Sequence, residues 1–501
     1  MLIDAKTFEK NKTIETEICV IGSGAGGAVV AKELAERGRS VVLLEEGGYF
    51  STADFNRNST EMVRKLYRDC GMTATLGKPM ISIPHGKCVG GTTVINSGTC
   101  IRLPDRVLEK WRSQEGLSDL TEEDLSPHTE KVEKTLGVSE PPRELLGKHN
   151  LIVLDTAKRL GLSSGILRRN APGCKGSGVC CFGCPTGGKY SMVVSYIPEG
   201  VRMGMKVYYH CRAKKLRMRQ GKIDRVIGVI STANGERTID VRASVVIVSA
   251  GAIFSPIFLR RNRVAPESRA LGKNLSIHPA TRLMALFDEK VESWRGVPQG
   301  TYIDEFSNEG ILFEGTAVPP SLSSVSLHRV GNELTNIMAQ FSHIASYGFL
   351  VSEDTRGSIR HVGEKAIVFY QLEKKDVDRF IKGTEILAEL FFAAGAKKVY
   401  LPIPPLPVLD NSGDIGKIRS AKLRGKDFEL FAFHPMGTCR IGNDPHHSVV
   451  NQNLEVHDVE GLFVCDASIF PSSLGVNPQL TIMTFATRLA NYLHQNASRY
   501  F

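Results

Sequence analysis

The chain has 501 residues, 42% of them hydrophobic and 23% charged, with a formal net charge of +10. That length exceeds one ordinary hydrophobic core, so two domains are expected, and the composition excludes a low-complexity chain. A basic balance of this size suits nucleic acid, an anionic membrane surface or an acidic partner, but the lysines and arginines are scattered. Their densest cluster, residues 212–219, alternates like a strand and reads as a solvated sheet face. No nucleic-acid partner is therefore expected, and peripheral membrane contact stays open.

In chain order, the opening MLIDAKTFEK places acids and lysines where a signal peptide or lipidation site needs other residues. A mature start and a cytoplasmic location are the expectation. Next, Glu17-Ile18-Cys19-Val20-Ile21 reads as a buried parallel strand that runs into Gly22-Ser23-Gly24-Ala25-Gly26-Gly27 and a helix over residues 28–37. Gly22 permits the tight turn, Gly24 lets backbone approach a pyrophosphate, and Gly27 lets helix and sheet pack closely. A second strand, residues 40–44, ends at Glu45, where a ribose hydroxyl needs an acceptor. These features announce a dinucleotide site.

Further along, residues 127–136 read as a helix capped by Ser126 and ended by Gly137. Residues 243–259 read as a buried strand followed by a turn, and are too interrupted by Ser, Gly and Pro for a membrane span. A strand-like run at 366–370 and an amphipathic helix at 375–394 give the later part of the chain an α+β texture. The expected organisation is a dinucleotide-binding domain assembled from residues 1–105, 200–280 and 430–501. An insertion spans 106–199, and a substrate domain spans 281–429.

At the C-terminal end, Phe433-His434-Pro435-Met436-Gly437-Thr438-Cys439 precedes a strand, Leu462-Phe463-Val464-Cys465-Asp466, and then Gly475-Val476-Asn477-Pro478-Gln479 opens a final helix. With Gly86-Lys87-Cys88-Val89-Gly90-Gly91-Thr92-Thr93-Val94-Ile95-Asn96, Gly251-Ala252-Ile253-Phe254-Ser255-Pro256 and Leu271-Gly272-Lys273-Asn274-Leu275-Ser276-Ile277-His278-Pro279, this resembles the glucose-methanol-choline (GMC) flavoenzyme family, nearest to its long-chain alcohol oxidase-like and sterol oxidase-like members. The resemblance implies an α/β fold: a Rossmann-like FAD domain with a parallel sheet, discontinuous in sequence, and an α+β substrate domain on an antiparallel sheet.

It also implies FAD as cofactor, contacted by Gly22, Gly24, Gly27, Glu45, Gly90, Gly91, Thr92, Thr93, Asn96, Asp466, Ala467 and Pro478. Because Ile95 stands where some members carry a histidine for covalent attachment, the FAD is expected to be noncovalent. The family's catalytic pair falls on His434 and Asn477. An imidazole with a near-neutral pKa can take an alcohol proton as general base while hydride leaves the carbinol carbon for flavin N5, and the Asn477 amide can hold the same hydroxyl. Pro478 suits a helix start whose positive end would face the reduced flavin. Of the other histidines, His278 reads as a domain-junction hydrogen bonder and His446-His447 as a solvated pair.

Eleven cysteines without a secretory signal favour reduced thiols or metal ligands over a disulfide framework. Four of them, Cys174, Cys180, Cys181 and Cys184, share one loop followed by Pro185, as in several iron-sulfur loops. Three readings stand: an iron-sulfur cluster or metal site, a reduced thiol loop packed beside the flavin, and a redox-active disulfide. The expected reaction is FAD-dependent oxidation of a hydrophobic alcohol, with oxygen, a quinone or a carrier protein as electron acceptor. The alternatives are a polyol or sugar dehydrogenase passing electrons through a cluster, a hydroxynitrile lyase, and a flavin electron-transfer protein without catalysis.

Overall fold

The computed structural model describes residues 1–325, 327 and 329–501. Its first sheet has the order Leu2–Asp4, Lys206–Tyr209, Val41–Leu44, Lys12–Ile21, Gly235–Val248, Lys222–Thr232, Arg212–Arg219. Leu462–Val464 adds in parallel beside Val246–Val248. The six strands from Leu2–Asp4 to Leu462–Val464 run parallel, and the last two form an antiparallel flap on Gly235–Val248. The parallel strands are buried on both faces, which is why Ile18–Ile21 and Val245–Val248 are near-continuous aliphatic runs. The outer strand, Arg212–Arg219, keeps its basic side chains largely in solvent.

Helix Ala25–Glu36 leads from Lys12–Ile21 towards Val41–Leu44 and packs against the C-terminal helix Gln479–Gln495. This is the α/β, Rossmann-like arrangement expected from the sequence. The second sheet is antiparallel, in the order Val408–Leu409, Lys398–Tyr400, Ala280–Leu286, Ile344–Val351, Ile311–Gly315, Thr301–Ile303, Ser164–Ile166. Helix Lys374–Ala393 packs on it, burying Phe380, Leu387 and Phe391 completely. Strand Ser164–Ile166 joins this sheet at Thr301–Ile303, and helix Lys148–Arg159 packs against the same sheet.

Two local expectations are corrected. The helix expected at 127–136 runs over Glu122–Leu136, with Thr121 accepting the Asp124 amide. Its first turn is acidic, as the positive end of a helix prefers, so Pro127 lies inside it and Ser126 does not cap it. Gly137 ends it at φ 57°. The turn expected after the strand within residues 243–259 is instead a helix start: Gly235–Val248 passes through Gly251, at φ 83°, into helix Gly251–Arg261. Among the described residues no helix is long and apolar enough to cross a membrane.

Candidate active site

Where Lys12–Ile21 meets its helix, the glycines divide by what surrounds them. Gly22 adopts φ 97°, and a Cβ there would meet Ser249 O at 2.3 Å. At Gly26 it would meet Cys465 O at 1.9 Å and at Gly27 Gly22 O at 1.9 Å, so both are close approaches of backbone to backbone. A Cβ on Gly24 would meet nothing within 4 Å. Gly24 faces a cavity of about 900 Å³ that runs from Gly22–Gly26 past Glu45, Gly91, Thr92, Asn96 and Gly251 to His434 and Asn477.

Of the expected cofactor residues Gly27 and Gly90 do not line this space, and the others do. Glu45 is buried, its Oε2 accepting from the Ser23 amide at 3.1 Å and hydroxyl at 2.6 Å, its Oε1 from the Gly47 amide at 2.7 Å. Burial raises its carboxyl above the usual range despite those bonds. Gly90 and Gly91, at φ 90° and 53°, carry Thr92 and Thr93 on a tight helical turn. Thr92 Oγ1 accepts the Gly86 amide at 3.1 Å, and Thr93 Oγ1 braces the turn by donating to Gly90 O at 2.6 Å. Asn96 Nδ2 donates to Gln479 Oε1 at 2.7 Å, tying the turn to the last helix. Asp466 accepts from the Gly251 amide at 2.9 Å and the Ser468 amide at 2.8 Å, while Ala467 and Pro478 line the wall. A glycine cradle open to a long cavity at a helix N-terminus, with hydroxyls and amides along it, fits FAD.

At the far end His434 and Asn477 meet, Nε2 to Nδ2 at 3.4 Å. Asn477 is buried and His434 partly so, and 43 residues separate them in the chain. Burial lowers His434 to about 4, so its imidazole is neutral at ordinary pH. Two further residues, which sequence reasoning did not place here, complete the cluster. His278, at φ 47°, brings its Nδ1 within 3.2 Å of His434 Nδ1 and accepts the Gly475 amide on Nε2 at 3.0 Å. Glu314, on Ile311–Gly315, places Oε2 3.4 Å from Asn477 Nδ2 and accepts from Gln299 Nε2 at 3.0 Å. Burial raises Glu314 to about 7, and Glu314 Oε1 and Asn477 Oδ1 are buried without partners. Glu314 directly precedes Gly315-Thr316-Ala317-Val318-Pro319-Pro320, a stretch similar to that of the family's long-chain alcohol subgroup, but only strand pairing brings it here. His278 stood in a matched segment, read as a junction residue.

Beyond this cluster the cavity continues between apolar side chains, among them Met284, Leu327, Ile337, Phe349, Leu350 and Tyr400.

The cysteine loop does not form the expected metal set. All eleven cysteines are free. Arg169 directs one nitrogen to Cys174 Sγ at 3.9 Å and another to Cys180 Sγ at 3.5 Å, so a cation already pairs with these two sulfurs. The Cys181 thiol is pushed up to about 12 by burial, and Cys184 Sγ accepts the Lys189 amide at 3.4 Å. Among the described residues no group of three or more His, Cys, Asp or Glu is placed to hold a metal ion. Buried Lys189 instead ties the loop to the flavin-side turn, donating to Val94 O at 2.8 Å, Asn96 O at 2.6 Å and Cys180 O at 3.2 Å.

The parallel sheet, open glycine turn and long cavity lined also by a His/Asn pair define a dinucleotide-binding oxidoreductase. Family models described as GMC oxidoreductase match residues 63–280 and 354–486, and a model of an NAD(P)-binding Rossmann-like domain matches 20–73. A GMC-type oxidoreductase of Mycobacterium tuberculosis is 36% identical over 474 residues, 94% of this chain and 75% of that one. A long-chain-alcohol oxidase of Arabidopsis thaliana is 27% identical over 514 residues, 95% of this chain and 68% of that one. The formate oxidase of Aspergillus oryzae superposes with a TM-score of 0.75 at 14% identity, covering 98% of this chain and 100% of that one; it shares the fold. The chain belongs to the GMC oxidoreductase family and is an FAD-dependent oxidoreductase.

Proposed function

We propose that this protein oxidises the CH–OH group of a hydrophobic alcohol to a carbonyl. The observation that carries the reading is that the His434/Asn477 pair lines the same cavity as the glycine turn and as the apolar side chains of Met284, Leu327, Ile337, Phe349, Leu350 and Tyr400. An apolar chain lying against these side chains buries its surface there, at about 0.8 kcal/mol per methylene. Its hydroxyl is then held by the polar groups of the pair, neutral His434 and Asn477.

Bound noncovalently, FAD supplies the two-electron acceptor for the carbinol hydride. Gly22 and Gly24 would hold its pyrophosphate at the helix N-terminus, Glu45 its ribose, and Thr92, Thr93, Asn96, Asp466, Ala467 and Pro478 the rest of the cavity wall. Glu314 and the apolar wall exclude water from the carbinol, which strengthens each polar contact made to it. The test is anaerobic mixing of the purified holoenzyme with dodecanol, a sterol, glycerol and glucose in turn, followed by visible absorbance. Bleaching of the flavin bands by the apolar alcohols supports the reading, and bleaching by polyols or sugars alone rejects the hydrophobic substrate. Reoxidation by air, a quinone or an added carrier protein then identifies the acceptor.

A further inference from the structure

Residues 73–83 fold back on themselves as a hairpin. Ala74 bridges Ser82, the Thr75 amide donates to Ile81 O at 2.9 Å, and the Ile83 amide donates to Thr73 O at 2.8 Å. That register sets Leu76 opposite Met80 across a tip of Gly77, Lys78 and Pro79. A second hairpin, Ser358–Val362 paired with Lys365–Phe369, joins its side: the Leu76 amide donates to Val368 O at 2.7 Å, and the Tyr370 amide to Leu76 O at 3.0 Å. On the other side the Ala432 amide donates to Ser82 O at 2.8 Å, which adds residues 431–433. Backbone hydrogen bonds therefore make one continuous surface of three chain segments.

Side chains alternate across such a surface. The inner set, among them Ile81, Ile83, Ile359 and Val368, is buried in the core of the second sheet. The outer set of a sheet covered on one side only is ordinarily polar. Here it is apolar: Met72 is 86% exposed, Met80 71% and Leu76 57%, and Val362, Phe369 and Phe433 are exposed on the same surface. Apolar side chains gathered in this way mark a docking face, where scattered single ones would not.

Charge identifies the partner. Residues 71–87 hold Lys78 and Lys87 and no Asp or Glu, and residues 355–372 hold Arg356, Arg360 and Lys365 against a single acid, Glu364, which is paired with Arg212 and Arg261. Arg360 lies 5.6 Å from the centre of the Phe369 ring, and Lys273 and Arg356 share a shallow pocket with Leu76 and Phe369. A second copy of this chain docked face to face would set these cations against themselves. An anionic lipid surface matches them: Leu, Met and Phe enter the acyl boundary while Lys and Arg reach the phosphates. We propose that the two-hairpin surface around Leu76, Met80 and Phe369 docks this protein on an anionic lipid bilayer. Ser82 and Phe433, exposed on that surface, also line the cavity, so docking brings the cavity to the phase in which an apolar alcohol dissolves. The docking itself does not depend on which alcohol is oxidised.

The test is co-sedimentation of the holoenzyme with vesicles of phosphatidylcholine alone and of equal parts phosphatidylcholine and phosphatidylglycerol. The wild type should partition onto the anionic vesicles far more than onto the neutral ones, and less as salt is raised. Met72→Gln, Leu76→Gln and Met80→Gln together should lower the partition coefficient on the order of 10-fold. That variant keeps every charge, so its loss separates docking from the general attraction of a basic chain to anionic lipid. Lys78→Glu with Lys365→Glu should weaken anionic binding by a similar factor. None of these side chains lines the cavity, so the bound flavin spectrum should match the wild type in both variants and reports that they are folded. A wild type that stays in the supernatant overturns the proposal, as does anionic binding that the triple Gln variant retains in full. Concentration-dependent dimerisation of the wild type that the Gln variant loses, without vesicle binding by either, assigns the surface to a second copy and also overturns it.

Discussion

The hydroxyl of Ser23 donates to Glu45 Oε2 at 2.6 Å and accepts the Gly90 amide at 2.9 Å, so one small side chain joins the glycine turn, the second strand and the Gly-Gly turn. Ser23→Ala would leave Gly90 N–H and part of a buried carboxyl unpaired. The expected cost is about 1–3 kcal/mol in stability, with weakened FAD binding. Thermal unfolding with and without added FAD checks it, and an unchanged melting temperature in both would reject the bridge.

The glycines offer a separation of fold from cofactor. Gly24→Val points into open space, so the apoprotein should fold with its stability changed by less than about 1 kcal/mol while FAD binding is lost. Gly26→Ala puts a Cβ 1.9 Å from Cys465 O and should destabilise the fold itself by several kcal/mol, an effect on the order of steric overpacking. Circular dichroism and flavin content of the two variants read out both effects.

His434→Ala should slow anaerobic flavin reduction on the order of 100-fold or more, with FAD retained. His434→Gln keeps a polar side chain but no group that can take a proton, so it should stay about as slow; a rate near that of the wild type would argue against proton transfer to His434.

Two buried carboxyls give stability a pH dependence. Glu314 and Glu353 are both raised to about 7 by burial, from an ordinary value of about 4.5. Between those values the folded state holds protons that the unfolded state has released, so stability falls as pH rises from about 4.5 to about 7. Each group contributes about 3 kcal/mol to that fall at most. Glu314→Gln removes its share, so the variant should gain on the wild type as pH rises through this window. Denaturant unfolding at several pH values tests the sign; a variant that loses ground with rising pH contradicts it.

The cysteine loop is checked by composition. With Arg169 between Cys174 and Cys180, purified protein should show flavin bands without stoichiometric iron or acid-labile sulfide. Eleven titratable thiols should appear on denaturation under anaerobic, non-reducing conditions. Stoichiometric iron and sulfide would restore the cluster reading.

Much of this molecule is written in short segments. The strand, glycine turn and helix at Lys12–Glu36 are legible because buried parallel strands, backbone close approach and helix packing each demand particular residue types within a few positions. The matched segments around Gly90, His434 and Asn477 carried the family and its site for the same reason. The helix at Glu122–Leu136 was misread because Pro127 suggested a start, while the Thr121 cap and acidic first turn lay just upstream. The thiol loop was ambiguous because cysteine spacing cannot show that an arginine already pairs with two of the sulfurs.

By itself, then, the sequence determined the family, the dinucleotide turn and the His434/Asn477 pair, all of them properties of local pattern. Only the tertiary structure decided what surrounds that pair. Glu314 arrives on an antiparallel strand from the second sheet, and His278 from the junction between the sheets. The Gly475 amide is 197 residues from the His278 ring it bonds. Strand register and domain contact set these distances, and burial sets the charges, because a carboxyl or imidazole loses its ordinary pKa only once the rest of the chain has taken the water away.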